Sequence, residues 1–194
     1  MQGIVLCGGK SMRMGRDKAL LNTTGIPWAQ SAANKLAQLL LQVSLSVNEE
    51  QYNIYATAFR ENAIIKDNSS LQVYGPLSGL LSVHLQHPLE DIFVLACDMP
   101  LMESFVLAEL YSLYQTNKNA DAYIFTNDNE AEPLCGIYCA KGLAAILKMH
   151  QQNKLPKHSI KFILSQLNVQ YVPIKENQKK YFTNFNSPAD LNEG

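Results

Sequence analysis

The feature that most constrains this chain is a short apolar run, Ile4-Val5-Leu6-Cys7, that empties into Gly8-Gly9-Lys10-Ser11-Met12-Arg13-Met14-Gly15-Arg16-Asp17-Lys18. An uninterrupted apolar run followed at once by glycine reads as a buried strand ending in a tight loop. Gly8 and Gly9 carry no Cβ, so backbone N–H groups there can approach an anion closely. Lys10, Arg13, Arg16 and Lys18 add the charge that a triphosphate requires. The stretch therefore reads as a phosphate seat, with a strand-to-helix turn bearing solvated cations as the plain alternative. Two familiar phosphate loops fail on spacing. Gly9-Lys10-Ser11 imitates the end of a Walker loop, but Ile4 stands where that motif needs glycine. The dinucleotide fingerprint fails because no further glycines follow Gly8 at the required intervals.

Downstream, apolar runs and helical repeats alternate. Ala19-Leu20-Leu21 is expected to be extended, with a turn over Asn22-Thr23-Thr24-Gly25. Pro27 opens a helix whose buried face carries Trp28, Ala32, Leu36, Leu39 and Leu40, which makes Trp28 a packing residue. Val43, Leu45 and Val47 alternate with polar residues, so a second strand ends at Asn48. A weak helix and loop over Gln51–Glu61 precedes a third strand, Ala63-Ile64-Ile65-Lys66, ending at Asp67. In an open parallel sheet, ligands bind beyond the carboxyl ends of strands, which places Asn48 and Asp67 on that edge. Tyr74-Gly75-Pro76-Leu77-Ser78-Gly79-Leu80-Leu81 starts another helix at Pro76, and Gly75 and Gly79 permit close approach of a ligand or neighbouring backbone.

Asp91 leads into Ile92-Phe93-Val94-Leu95-Ala96-Cys97, an apolar run typical of a central parallel strand, and it terminates in Asp98-Met99-Pro100. A carboxylate at such a strand end, facing a phosphate loop, is where a Mg2+ ligand is expected, because Mg2+ commonly takes one or two carboxylates plus substrate phosphates. A helix over Glu103–Thr116 and the strands Ala122–Thr126 and Glu132–Tyr138 follow; this pair is expected to run antiparallel to part of the sheet. Leu143–His150 is a helix and Asn153–His158 a basic loop; Lys154, Lys157, His158 and Lys161 read as solvated cations, with contact to an anionic acceptor as the alternative. Ser159 caps a helix carrying Ile160, Ile163, Leu164 and Leu167, and Val169–Val172 is a late strand. Asn184 and Asn186 alternate on one face of an extended segment, before a helix start at Ser187-Pro188.

Composition limits the partners. A formal net charge of −1 argues against nucleic acid, and the apolar runs fall short of a membrane span. No secretory signal opens the chain, so a cytoplasmic location is expected. Cysteines at 7, 97, 135 and 139 form no C-x-x-C pair. Cys7 and Cys97, near strand ends, read as small hydrophobes, with a zinc site that adds one of the scattered histidines as the alternative.

The run Leu6-Cys7-Gly8-Gly9-x-Ser11-x-Arg13-Met14-Gly15-x-Asp17-Lys18 resembles the signature loop of the nucleotidyltransferases that activate the molybdenum cofactor, most closely the molybdenum cofactor guanylyltransferases. The Gly75-Pro76-Leu77 run, Asp98-Met99-Pro100, Pro133-Leu134-x-Gly136-x-Tyr138 and Asn184-x-Asn186-x-Pro188 follow in that family's order. The resemblance implies an α/β, three-layer Rossmann-like fold with a mostly parallel (mixed) central sheet flanked by helices. The length suits one domain over 1–194, with or without a small appended lobe, and the resemblance implies a nucleotide-binding part to about 102 and an acceptor part from about 103. The implied reaction transfers GMP from GTP to the terminal phosphate of molybdenum-molybdopterin, with Mg2+ as cofactor and pyrophosphate released. A phosphate nucleophile is already ionised at neutral pH, so no catalytic histidine is needed, and the demand is for positioning and charge neutralisation.

In that reading Asp98 holds the metal, and Lys18 and Arg13 stabilise the leaving pyrophosphate. Leu6, Cys7, Gly8 and Gly9 hold the nucleotide through their backbone, joined by Asn48, Gly75 and Gly79. Asp67 reads the N1 and N2 donors of guanine, and Asn184 and Asn186 meet the pterin acceptor. Cys7 departs from the family's usual alanine, which bears on nucleotide choice if the thiol crowds the base. GTP and the molybdenum cofactor are the expected partners, with molybdoenzymes or other proteins of the cofactor pathway beyond them. A cytidylyltransferase of the same fold, another small nucleotidyltransferase, or a nucleotide-binding relative without catalysis are the alternatives.

Overall fold

The structure is a computed structural model that describes residues 1–8, 17–22, 25–59 and 64–185. In chain order its elements are β1 (Gln2–Leu6), α1 (Trp28–Ala37), β2 (Gln42–Val47), α2 (Glu49–Ala58), β3 (Ile64–Lys66), α3 (Pro76–Gln86) and β4 (Ile92–Ala96). They continue with α4 (Ser104–Thr116), β5 (Ala122–Asn127), β6 (Glu130–Tyr138), α5 (Ala140–Gln151), α6 (Ile160–Leu164) and β7 (Val169–Pro173). The strands make one seven-stranded sheet in the order β3-β2-β1-β4-β6-β5-β7.

The two faces of that sheet explain why the central strands are apolar throughout. Val5, Phe93 and Leu95 point into a core closed by α1, α2 and α4, together with Tyr55, Tyr123 and Phe125. Their neighbours Ile4, Ile92 and Val94 point the other way, into a core closed by α3, α5 and α6. A strand covered on both faces shows no polar alternation. Trp28 is 2% exposed and meets Phe185 edge to face at 5.9 Å, so it packs as its helical spacing foretold. Two glycines set how closely layers approach. A Cβ on Gly79 would stand 2.6 Å from Ser46 Oγ and 2.9 Å from Leu6 Cδ2, so α3 can lie on β1 and β2 only with glycine there. A Cβ on Gly136 would stand 2.5 Å from Ile124 Cδ1.

Several expectations give way. β5 is not reversed; β6 alone is, running antiparallel to both β4 and β5, while β7 pairs parallel with β5. The hairpin at Asp128-Asn129, both at positive φ, turns the chain once, and β6 then inserts between β4 and β5. Ala19 and Leu20 are not extended: Lys18–Leu20 is a 3₁₀ turn, because the Asp17 carboxylate caps the Ala19 N–H, and of the three only Leu21 is extended. Leu40 leaves the buried face of α1, which stops at Ala37; it takes φ 60° and is 95% exposed as the chain turns toward β2. Leu167 lies beyond the end of α6. The helix start at Ser187-Pro188 lies outside the described residues. Among the described residues no helix is long and apolar enough to cross a membrane.

Candidate active site

Because β1, β2, β3 and β4 are mutually parallel, their carboxyl ends open on one edge. The residues that follow them are Cys7-Gly8, Asn48, Asp67 and Cys97-Asp98. The 3₁₀ turn after Asp17 brings Lys18 to this edge, and Lys18 Nζ stands 3.9 Å from Asp98 Oδ2. That separation is an ion pair without hydrogen-bond contact. Asp98 Oδ1 is buried and, among the described residues, has no hydrogen-bond partner. Burial holds the Asp98 carboxyl above its ordinary value, and the Lys18 charge opposes that shift only in part. A buried carboxylate with one orphaned oxygen has the donor capacity to accept a further cation.

Asp67 lies across the β1 end from Asp98. Its Oδ1 accepts from Ser46 Oγ at 3.1 Å. Burial raises its carboxyl, with hydroxyl hydrogen bonds from Ser46 and Ser78 working against that. A Cβ on Gly8 would come 3.9 Å from Asp67 Oδ2, and one on Gly79 3.6 Å from Oδ1. Asp67 is therefore lodged between the end of β1 and α3, not on a surface loop. Asn48 caps α2: its Oδ1 accepts from Gln51 N–H at 2.9 Å. Gly75 holds φ 67° at the head of α3, with open space around it. Gly79 faces the sheet, and its contacts are those of helix packing.

The backbone around β1 is more committed than the sequence suggested. Cys7 N–H donates to Ser46 O at 2.9 Å, and Leu6 O accepts from Cys97 N–H at 3.2 Å. Cys7 O accepts from Gln51 Nε2 at 3.0 Å. Gly8, two residues past the end of β1, is exposed. The Cys7 thiol is buried against Cys97 in the α1–α2–α4 core, and burial pushes it upward, so it does not crowd the edge. Gly9 and Arg13 lie outside the described residues.

Sequence reasoning missed two members of this edge, Gln51 and Tyr55. Both donate to Asp17, Gln51 Nε2 to Oδ2 at 2.7 Å and Tyr55 OH to Oδ1 at 3.0 Å. The available signal was Asn48-x-x-Gln51, a capping-box pattern that fixes a glutamine at a strand end.

The chain returns to the same edge after β7. Phe185 N–H donates to Asp98 O at 2.9 Å, and Phe182 packs on Phe125 with ring centres 5.0 Å apart. Asn184, exposed, is thereby held next to the Asp98 backbone, while Asn186 lies outside the described residues. The basic loop does not converge on the edge as one patch. Lys161 pairs with Glu130, and the His158 ring packs against Tyr74 and His150.

Comparison with known proteins identifies the family. The MobA-like NTP transferase domain matches residues 3–169. A molybdenum cofactor biosynthesis bifunctional protein of Synechocystis is 31% identical over 193 residues, 100% of this chain and 53% of that protein. The chain thus spans about half of that relative's length. A probable molybdenum cofactor guanylyltransferase of Flavobacterium johnsoniae is 27% identical over 97% of this chain and 93% of its own. The crystal structure of molybdopterin-guanine dinucleotide biosynthesis protein A from Archaeoglobus fulgidus superposes with TM-score 0.77 at 25% identity, covering 100% of this chain and 96% of that one. With a matched span of residues 3–169, the chain belongs to the MobA-like NTP transferase family and is a nucleotidyltransferase.

Proposed function

We propose that this protein transfers GMP from GTP to the terminal phosphate of molybdenum-molybdopterin and releases pyrophosphate. The observation that carries the reading is the meeting of Lys18 and Asp98 at 3.9 Å beside the phosphate-loop strand, with one Asp98 oxygen left unpartnered. The names of the Flavobacterium and Archaeoglobus relatives support guanine as the base, and all three names support the molybdenum cofactor pathway.

The donor set fits Mg2+. This ion binds through one or two carboxylates and completes its shell with substrate phosphates and water, so a single desolvated aspartate with a free oxygen suffices. When bound, Mg2+ would supply charge neutralisation between the triphosphate and an anionic nucleophile. Lys18 and Arg13 stabilise charge gathering on the leaving pyrophosphate, and Gly8 and Gly9 offer backbone N–H groups to the phosphates. Asp67, ionised, accepts from the N1 and N2 donors of guanine, which cytosine and uracil lack. Asn184, held beside Asp98, and Asn186 present amides to the acceptor. No residue need remove a proton, because the attacking phosphate is already ionised.

The nearest second reading uses CTP on the same acceptor, and Asp67 is the residue that weighs against it. Pyrophosphate release measured with each nucleoside triphosphate, with and without molybdenum-molybdopterin, tests the proposal. Acceptor-dependent release with GTP well above CTP and ATP is expected. A preference for CTP, or release indifferent to the acceptor, contradicts it.

A further inference from the structure

We propose that Gln51 and Tyr55 are positioning residues of the transfer reaction, holding the Asp17 carboxylate and through it aiming Lys18 at the triphosphate. The inference rests on the role of Lys18 in the reading above. Gln51 Nε2 donates both to Cys7 O (3.0 Å) and to Asp17 Oδ2 (2.7 Å), so one amide ties the point where the chain leaves β1 to the residue just before Lys18. Tyr55 OH takes the other Asp17 oxygen at 3.0 Å, and Ala19 N–H shares that oxygen at 3.1 Å. The far end of the Gln51 amide is used as well, since its Oε1 accepts from Asn48 N–H at 3.2 Å.

Gln51 is 8% exposed and Tyr55 0%. Burying an amide and a phenol is unfavourable unless each finds a partner, and here both find the same carboxylate. Burial, first, and then the neighbouring Cys7 and Asp17 push the Tyr55 phenol far up, so it remains a proton donor at any working pH. An ordinary turn cap needs only the local Ala19 N–H. Two buried donors from α2, 34 and 38 residues away in sequence, exceed that need. They fix the direction in which Lys18 leaves its turn, and Lys18 meets Asp98 at 3.9 Å. Small displacements of a group that acts on the transition state cost rate more than binding.

The test compares wild type with Tyr55→Phe and Gln51→Met. Steady-state pyrophosphate release is followed with GTP, CTP, ATP and UTP, using molybdenum-molybdopterin as acceptor and counting only protein that melts cooperatively. Gln51→Met is expected to lower kcat by about 10- to 100-fold and Tyr55→Phe by a smaller factor, with the KM for the triphosphate within about twofold of wild type. Tyr55→Phe removes one oxygen and nothing else, so it serves if Gln51→Met folds poorly. A purely structural role would lower the melting temperature and leave kcat per folded molecule unchanged, which overturns the proposal. Amide hydrogen exchange in substrate-free protein decides the clamp separately. Ala19 and Leu20 are expected to exchange faster in both variants while β1 and β4 stay protected. Unchanged exchange at Ala19 and Leu20 refutes the clamp even if the wild type transfers from no triphosphate, an outcome that would itself strike only at the functional reading.

Discussion

Where the phosphate-loop strand meets the edge, the Lys18 and Asp98 side chains keep 18% and 25% of their surface exposed; at the hairpin of β5 and β6, Lys161 and Glu130 keep 66% and 72%. The first region continues inward through Asp17, Gln51, Tyr55 and the Cys7 carbonyl, and sideways through Ser46 and Asp67. The second is laced by Lys161 to Glu130, Lys175 to Glu109 and Lys179 to Asp128 and Glu176, all reaching into water. Charges in a desolvated network act strongly on one another and keep a fixed geometry. Exposed pairs are screened by salt and contribute little. The same sheet edge thus has a preorganised half and an adaptable half, the division that the proposed transfer from a triphosphate to a larger acceptor calls for.

Substitutions that break the rigid half should have the largest effects. Asp98→Asn is expected to take transfer below detection. Because burial raises this carboxyl in the folded protein, the native state holds its proton over a window where the unfolded chain has lost it. Stability therefore falls as pH rises through that window, and Asp98→Asn should melt above wild type at neutral pH, with the difference vanishing below the ordinary carboxylate range. Retained magnesium-dependent turnover would refute the assignment. Lys18→Ala should lower kcat by about 10²- to 10³-fold, the range for losing one transition-state charge partner, and a near-normal rate would remove it from the site.

Next in size is base choice. Asp67→Asn should reduce the preference for GTP over CTP by about 10- to 100-fold, since it replaces a charged acceptor of two hydrogen bonds. Burial raises the Asp67 carboxyl, so its charge is lost at a higher pH than that of an exposed aspartate. Discrimination by the wild type should weaken as pH falls through that raised value, and Asp67→Asn should abolish this dependence; competition between GTP and CTP across pH measures both. At the small end, Lys161→Ala should leave kcat and melting temperature within experimental scatter at any salt concentration. A clear loss there would erase the contrast between the two halves.

What the sequence revealed follows the same division. The strand that feeds the phosphate loop, the strand that ends at Asp98 and the helix that starts at Pro76 are each marked by contiguous residues, so local reading finds them. Gln51 and Tyr55 were hidden because their partners lie 34 to 44 residues away, and polar residues on a weakly amphipathic helix read as a solvated face. Leu40 misled for the opposite reason: it matched the helical period but sits one turn beyond the end of α1, where the backbone has already left the helix. The insertion of β6 between β4 and β5 is a matter of sheet order, which hydrophobic alternation cannot encode.

The central claim is that Lys18 and Asp98 flank a single metal-triphosphate seat at the strand ends. A crystal structure with a non-hydrolysable GTP analogue and Mg2+ tests it most directly. The account expects the metal on Asp98 at about 2.0–2.1 Å, with Lys18 on the phosphates. A triphosphate seated away from the ends of β1 and β4, or bound there with no metal on Asp98, would contradict it.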